Sequence, residues 1–231
     1  VMYRCDGRAY STADGSTQLL ASKQYDSSDT LGAFRGTDLQ FGHIAGTTSF
    51  VGRVKQYDSF IEFEQIFPDS LRDTSSGNAD ALVTTFPAFR QSLDAMPDAY
   101  AHWVSGYYDA NPPTAEGRRR LLVAPGFATP VFGRWETPTG EAASADSADV
   151  LPGGMGGTGV TAFFSSQQPE AVTAVMSALA HPMAVSHASS GRGEVRWGVM
   201  GNATHLPTSL RPSVLLLSLI HISEPTRQRQ P

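Results

Sequence analysis

The chain has 231 residues, which is enough to build a domain with a substantial core. Its 17 Lys and Arg against 22 Asp and Glu give a net charge of −5, which argues against the basic surface of a nucleic-acid-binding protein. One cysteine, Cys5, excludes an intramolecular disulfide and a cysteine-rich zinc site, and 22 Gly with 15 Pro favour turns over long helices.

The first fifty residues are predicted to form short strands separated by turns. Short apolar groups, such as those in residues 31–34 and 38–41, alternate with Gly, Asp, Ser and Thr. The sequence starts at Val1 rather than at a methionine, and no charged and apolar leader follows. We therefore expect no signal peptide in this fragment and leave its compartment open.

The clearest strand spans residues 59–67, SFIEFEQIF. Side chains alternate along a strand, so apolar residues such as Phe63 share one face while Glu62 and Glu64 share the other. We interpret the two glutamates as a solvated face. A glycosidase pair is the alternative, but it needs two carboxyls held across a cleft, which spacing along one strand does not show.

A second apolar run follows closely and is predicted to pair with the first. Pro68 ends the first strand, residues 73–78 form a polar turn, and residues 81–86 form an apolar run that stops at Pro87. Two strands flanking a turn-rich segment are typical of antiparallel neighbours.

The remaining apolar runs complete an all-β pattern. They cover residues 100–104, 120–123, 131–135, 160–164 and 195–200. Residues 137–149 are rich in Ala, Ser and Asp, which predicts an exposed loop. Residues 170–179 contain helix formers, but their β-branched side chains equally allow a buried strand. The sequence thus predicts a large antiparallel β-sandwich of the supersandwich kind, with at most one or two short helices.

The C-terminal residues 217–227, LSLIHISEPTR, match the translation of a transposase sequencing adapter residue by residue. We therefore predict a single β-sandwich domain over residues 1–216, truncated at both ends, and an adapter-derived tail over residues 217–231. A natural apolar strand with a polar tail would explain the composition but not the match. No stretch of residues 1–216 approaches about 18 apolar residues, so no membrane segment is expected.

Several motifs give only weak chemical predictions. Residues 154–159 match G-x-G-x-x-G, but Pro152 precedes them and the strand-like residues 160–164 follow, which favours a glycine-rich loop over a dinucleotide site. A nucleotide-binding oxidoreductase is kept as a third alternative. His181 and His187 lie six apart, which is not the spacing of a helical metal pair. No metal or other cofactor is expected.

Aromatic residues are the candidates for ligand contact. Aromatic faces stack on sugar rings, and filling the core is the alternative role for the same side chains. The candidate substrate-binding residues are Trp103, Tyr107, Tyr108 and Trp135. Residues 202–204 form a glycosylation sequon, which matters only if the parent protein is secreted.

Four segments in order carry a resemblance to a known family. They are SFIEFEQIFPDSL, SSGNADALVTTFPAFR, GGTGVTAFFS and GVMGNATHLPTSL. Together they resemble the N-terminal β-domain of family-36-type glycoside hydrolases, the α-galactosidase and raffinose synthase group. The resemblance covers residues 50–212 approximately. The sequence departs from the family pattern at residues 158–160, where Pro-Leu is expected, and in the long Ala/Ser loop before them.

The resemblance implies a β-sandwich that packs against a (β/α)8 barrel, which carries the two catalytic aspartates of a retaining mechanism. No catalytic residue carries over to this chain. The fragment is therefore expected to be inactive, with the missing barrel as its partner and carbohydrate as the ligand of the parent glycoside hydrolase or glycosyl transferase. The alternative is a stand-alone carbohydrate-binding or adhesion-type sandwich, which the reading frame after residue 216 would distinguish.

Overall fold

The computed structural model describes residues 1–43, 47–78, 81–90, 99–105, 129–134, 156–157, 160–165, 168–189 and 194–218. Within these ranges the chain forms eighteen strands and no helix. The strands are β1 (Met2–Cys5), β2 (Arg8–Ser11), β3 (Gln18–Asp29), β4 (Gly32–Gly42), β5 (Phe50–Gln56), β6 (Phe60–Ile66), β7 (Leu71–Arg72), β8 (Thr84–Thr85), β9 (Ala88–Arg90), β10 (Ala99–Ser105), β11 (Thr129–Arg134), β12 (Gly156–Gly157), β13 (Thr161–Ser165), β14 (Gln168–Ala180), β15 (Val185–Ser189), β16 (Glu194–Val199), β17 (His205–Leu206) and β18 (Ser213–Ser218).

The largest sheet contains nine of the described strands, in the order β11-β10-β13-β14-β18-β6-β5-β4-β3. Each neighbouring pair in it is antiparallel. Its N-terminal part corrects the prediction of short strands, because β3 and β4 are 12 and 11 residues long and form one extended hairpin. Gly and Ser within these strands do not interrupt them, since continuous pairing with a neighbour outweighs their weak strand preference.

A smaller sheet packs on this large sheet and completes the sandwich. It has the order β12-β15-β16-β9. Met176 and Val214 of the large sheet form one buried cluster with Val185, Val195 and Trp197 of the smaller sheet. Burying each such side chain contributes about 1.5–3 kcal/mol. The predicted all-β antiparallel sandwich is thereby confirmed.

A second buried cluster joins the N-terminal strands to the rest of the sandwich. Phe41 and Phe50 of the large sheet pack with Tyr3 of the three-stranded sheet β2-β1-β8. Leu206 of the two-stranded sheet β17-β7 lies in the same cluster. The core therefore continues through all four sheets rather than ending between two of them.

The apolar run at residues 81–86 does not pair with the run before it, contrary to the prediction. Its strand β8 pairs with β1, whereas β6 lies between β5 and β18. The run instead crosses the face of the large sheet, where the Gln65 side chain donates a 2.8 Å hydrogen bond to the Phe86 carbonyl. The Phe86 ring lies directly over Gly52, because a Cβ at that position would come within 2.7 Å of it.

Residues 170–179 are a strand, which decides between the two alternatives that their sequence allowed. They lie in β14, which pairs with β13 on one side and β18 on the other. Strand pairing on both sides suits the β-branched side chains of this segment and overrides its helix formers.

The last described strand extends past residue 216, where the sequence predicted the domain to end. Leu217 pairs with Phe60, and Ser218 pairs with Ala174. The position of the boundary stays a prediction. Within the described ranges, the chain has no helix with the length and apolar character needed to cross a bilayer.

Candidate functional site

One face of the large sheet carries a layer of charged side chains, here called the ionic face. The strand register produces this layer. Asp38 on β4 lies opposite Arg53 on β5, and Arg53 lies opposite Glu64 on β6. In the next row Lys55 lies opposite Glu62. Acids and bases thus alternate across three neighbouring strands, with Asp29 at the end of β3 as a further acid.

The strongest pair on the ionic face is Arg53 with Asp38. Arg53 donates from Nε to Asp38 Oδ1 at 2.7 Å and from Nη2 to Oδ2 at 2.9 Å, which is the two-pronged geometry that guanidinium and carboxylate favour. Its Nη1 lies 3.5 Å from Glu64 Oε2. The hydrogen bonds from Arg53 hold the pKa of the Asp38 carboxyl below its ordinary value.

Lys55 joins the other acids of the layer. Its Nζ lies 3.1 Å from Glu62 Oε2, 3.2 Å from Asp29 Oδ2 and 3.9 Å from Glu64 Oε2. Burial lowers the pKa of the Lys55 ammonium, but the hydrogen bond and charge of Glu62, together with the other acids, outweigh it and raise the pKa above its ordinary value. Lys55 therefore stays charged and holds the carboxylates together.

The glutamates of β6 are buried, which corrects their interpretation as a solvated face. Glu62 and Glu64 are only 6% and 7% exposed. They alternate with apolar residues as predicted, but the basic side chains of β5 cover them. Buried charges are tolerated only when they are paired, and removing one partner lowers the free energy of unfolding by about 3–5 kcal/mol. The layer fixes the register of β4, β5 and β6, because a slip by one residue would leave each charge without its partner.

Aromatic rings border the ionic face. The Tyr25 ring lies flat on Gly36, where a Cβ would overlap it, and its hydroxyl donates to Asp38 Oδ1 at 3.1 Å. The Arg53 Cζ lies 5.8 Å from the centre of the same ring. Farther along the sheet, the rings of Phe34 and Tyr57 lie 5.3 Å apart and line a surface cavity.

Tyr57 is held in place by the acids of the ionic face. Its hydroxyl donates to Asp29 Oδ2 at 2.7 Å and lies 3.4 Å from Glu62 Oε2. Burial, followed by the hydrogen bond to Asp29, raises the pKa of Tyr57, and the same hydrogen bond lowers the pKa of Asp29. The pair is therefore a neutral donor on an ionised acceptor, which is the stable arrangement at neutral pH.

The predicted sugar-contacting residues are not brought together by the described part of the structure. The backbone of Trp103 lies in β10, opposite Val131 and Thr161, and its side chain lies outside what the structure describes. Tyr107, Tyr108 and Trp135 lie outside the described residues. Their role in ligand binding stays a prediction.

The other motifs of the sequence have structural positions. Gly156 and Gly157 form β12, and the next described element, β13, is a strand, whereas a dinucleotide fingerprint is followed by a helix. His187 is 2% exposed and packs on Trp197 with ring centres 4.6 Å apart, while His181 is exposed. Burial raises the pKa of the Cys5 thiol, which makes it a poor nucleophile at neutral pH.

No group of three or more His, Cys, Asp or Glu among the described residues is arranged to hold a metal ion.

The ionic face was missed at the sequence level, although a signal for it was present. If Asp58 and Ser59 form a two-residue turn, antiparallel pairing places Arg53 opposite Glu64 and Lys55 opposite Glu62. Such complementary charges across a hairpin indicate an ion-paired layer rather than a solvated one.

Three of the four segments that carry the family resemblance meet at one place, here called the sheet junction. Thr84 Oγ1 accepts a 2.9 Å hydrogen bond from the Val199 backbone N–H and donates to Gln65 Oε1 at 2.6 Å. Thr74 Oγ1 donates to the Ala203 carbonyl at 2.6 Å. At Gly198 a Cβ would overlap the Thr84 carbonyl, so the segments approach as closely as backbones can.

A second set of contacts at the sheet junction joins turn to turn. The Ser76 backbone N–H donates to the Gly201 carbonyl at 2.9 Å, and Ser75 Oγ donates to the same oxygen at 3.2 Å. A Cβ at Gly201 would overlap the carbonyl oxygen of Asn78. The residues of these segments that carry the family resemblance thus contribute to packing and to backbone hydrogen bonding.

No protein-family model matches the sequence, and no curated protein matches it. Among solved structures, the chain is similar to a glycoside hydrolase family 97 enzyme of Pseudoalteromonas sp. strain K8 in complex with panose, at a TM-score of 0.42 and 11% identity. The match covers 87% of this chain but only 28% of that enzyme. A likeness at this level is loose and decides neither the family nor the activity.

Proposed function

We propose that this chain is a non-catalytic β-domain of a carbohydrate-active enzyme, and more specifically the N-terminal β-sandwich of a protein of the α-galactosidase and raffinose synthase group. One observation supports the proposal above the others: three of the four family-like segments meet at the sheet junction. The bonds between the second and fourth segments join residues 115 and 126 positions apart. Segments that resemble a family because they build its fold are expected to meet in this way.

The chemistry of the ionic face agrees with a non-catalytic role. A retaining glycosidase needs one ionised carboxylate and one carboxylic acid whose pKa is raised so that it holds a proton. On the ionic face, Asp38 and Asp29 have lowered pKa values, and Glu62 and Glu64 are paired with bases. The ion pairs stabilise the strand register, and the lowered pKa values make Asp38 and Asp29 poor proton donors.

The test is to recover the reading frame that continues from residue 216 in the intact gene, and to express that protein beside the present 231-residue chain. Both are assayed on an aryl α-galactoside. We expect turnover by the longer protein and none by the 231-residue chain. Turnover by the 231-residue chain would overturn the proposal. A frame that stops at once, or that encodes another sandwich, would instead favour a stand-alone binding protein.

A further inference from the structure

A cavity of about 560 Å³ opens where the β3–β4 hairpin passes the turn after β5. This volume lies within the range of small-molecule sites, about 300–1,000 Å³. The half-buried Phe34 supplies most of its aromatic surface above the buried Tyr57, and Asp26, Ser27, Gln56 and Asp58 supply polar groups around it. Neither the family resemblance nor the sheet junction accounts for this combination.

The aromatic surface is rigid before any ligand arrives. The Tyr57 ring stacks on Phe60 with ring centres 4.3 Å apart, and its hydroxyl is anchored to Asp29. Phe34 contacts the Tyr57 ring at a tilt and the Lys55 ammonium, which lies 5.4 Å from the centre of its ring, and the rest of its half-buried side chain is exposed. A prearranged surface binds with a smaller entropic cost, because few side chains must be ordered on association.

The polar groups decide the kind of ligand. Asp26, Ser27, Gln56 and Asp58 are all exposed, so their oxygens and amide face water at the cavity. The lining contains two carboxylates, Asp26 and Asp58, and one cation, Arg35, whose Nε lies 3.5 Å from Asp26 Oδ1. This lining repels anions and offers acceptors to several hydroxyl donors at once.

We infer that this cavity is a binding site for a neutral hexopyranose ring, with the apolar side of the sugar on the exposed part of Phe34, which the buried Tyr57 supports from below. Its hydroxyls donate to Asp26 and Asp58 and exchange hydrogen bonds with Gln56 and Ser27. The inference rests on the proposed function, because it assigns a sugar to a domain that we attribute to a carbohydrate-active enzyme. It places the sugar on β3–β5, away from the Trp103 strand.

The test is a calorimetric titration of the 231-residue chain with raffinose and maltotriose, which are neutral, and with trigalacturonate, which is anionic. We expect at least one neutral sugar to bind with a Kd of about 1 mM or tighter, and trigalacturonate not to bind. Phe34→Ala should weaken binding about tenfold, because it removes an aromatic contact. Leu19→Ala is the matched control, since Leu19 is 52% exposed and does not line the cavity.

A second variant covers the case in which Phe34→Ala does not fold. Ala33 is exposed and lines the cavity, so Ala33→Trp fills the site without removing a packed side chain and should abolish binding. The inference is overturned if neither neutral sugar binds, or if Ala33→Trp binds as tightly as the unchanged chain. Such a result would leave the activity of the longer protein on aryl α-galactosides unaffected, so failure of this inference and failure of the proposed function are separable.

Discussion

Acidification should destabilise this protein through His187. This residue lies on β15 opposite Trp197 and is 2% exposed, and burial lowers its pKa to about 3. In the unfolded chain the same imidazole has a pKa of about 6.5. Between these two values the unfolded state binds a proton that the folded state does not, so stability falls as the pH falls through this window.

The size of the effect follows from the two pKa values. Each pH unit below about 6.5 removes about 1.4 kcal/mol, which amounts to about 2 kcal/mol at pH 5. His187→Phe removes the titrating group and keeps a ring beside Trp197. The variant should therefore lose about 2 kcal/mol less than the unchanged chain between pH 7.5 and about pH 5.

The measurement is urea unfolding, followed by tryptophan fluorescence, at both pH values. His205→Gln is the matched control, because it removes an exposed histidine instead of a buried one. If His187→Phe and the unchanged chain lose equal stability on acidification, then His187 is protonated in the folded protein and the reasoning is wrong.

Two further predictions concern the ionic face and the sheet junction. Arg53→Met should lower the free energy of unfolding by about 3 kcal/mol, because it leaves Asp38 and Glu64 without their shared cation. The control variant Arg35→Met should change the free energy of unfolding by less than about 0.5 kcal/mol, because both Arg35 and its partner Asp26 are exposed. The same Arg53→Met variant should raise the pKa of Asp38 toward its ordinary value in an NMR titration, and an unchanged pKa would contradict the assigned cause. Because that pKa is lowered in the folded state, the stability it supplies is present above the ordinary pKa of Asp, about 3.9, and is lost as the pH falls through the lowered value. Gly198→Ala should cost about 3 kcal/mol in thermal unfolding, since its Cβ would overlap the Thr84 carbonyl, and a melting temperature equal to that of the unchanged chain would refute this.

Local patterns predicted some individual strands well, because alternation of side chains is a property of a single strand. The strand expected at residues 59–67 is observed as Phe60–Ile66, and the run at 195–200 as Glu194–Val199. The second strand buries an apolar residue at every second position, and Phe63 of the first packs against the core. The sandwich class followed from the number and spacing of such runs.

Pairing between distant segments was not predictable in the same way. Nothing local indicates that β18 inserts between β14 and β6, or that β8 pairs with β1 rather than with β6. Those choices depend on which faces can be buried together, and the contacts that decide them, such as Phe86 over Gly52, are far apart in sequence.

The ionic face was misjudged for a related reason. The burial of Glu62 depends on Lys55 of the neighbouring strand, and a pattern read along one strand does not include its neighbours. The cavity was missed because it is formed by a hairpin and a turn from three separate stretches, residues 26–27, 33–35 and 56–58. Its aromatic residues, Phe34 and Tyr57, belong to no recognisable motif, and the sequence indicated Trp103 and Trp135 as candidate sugar contacts instead.

The interior position of β18 sets an order of events for folding. Ser213–Ser218 bonds to β14 on one side and to β6 on the other, and so connects β3, β4, β5 and β6 to the group formed by β10, β11, β13 and β14. Until these late residues leave the ribosome, β6 and β14 each present an open edge that can pair with another chain. Closure of the large sheet must therefore wait until Ser213–Ser218 have been synthesised, and a chain in which they have not yet emerged is the species most at risk of aggregation.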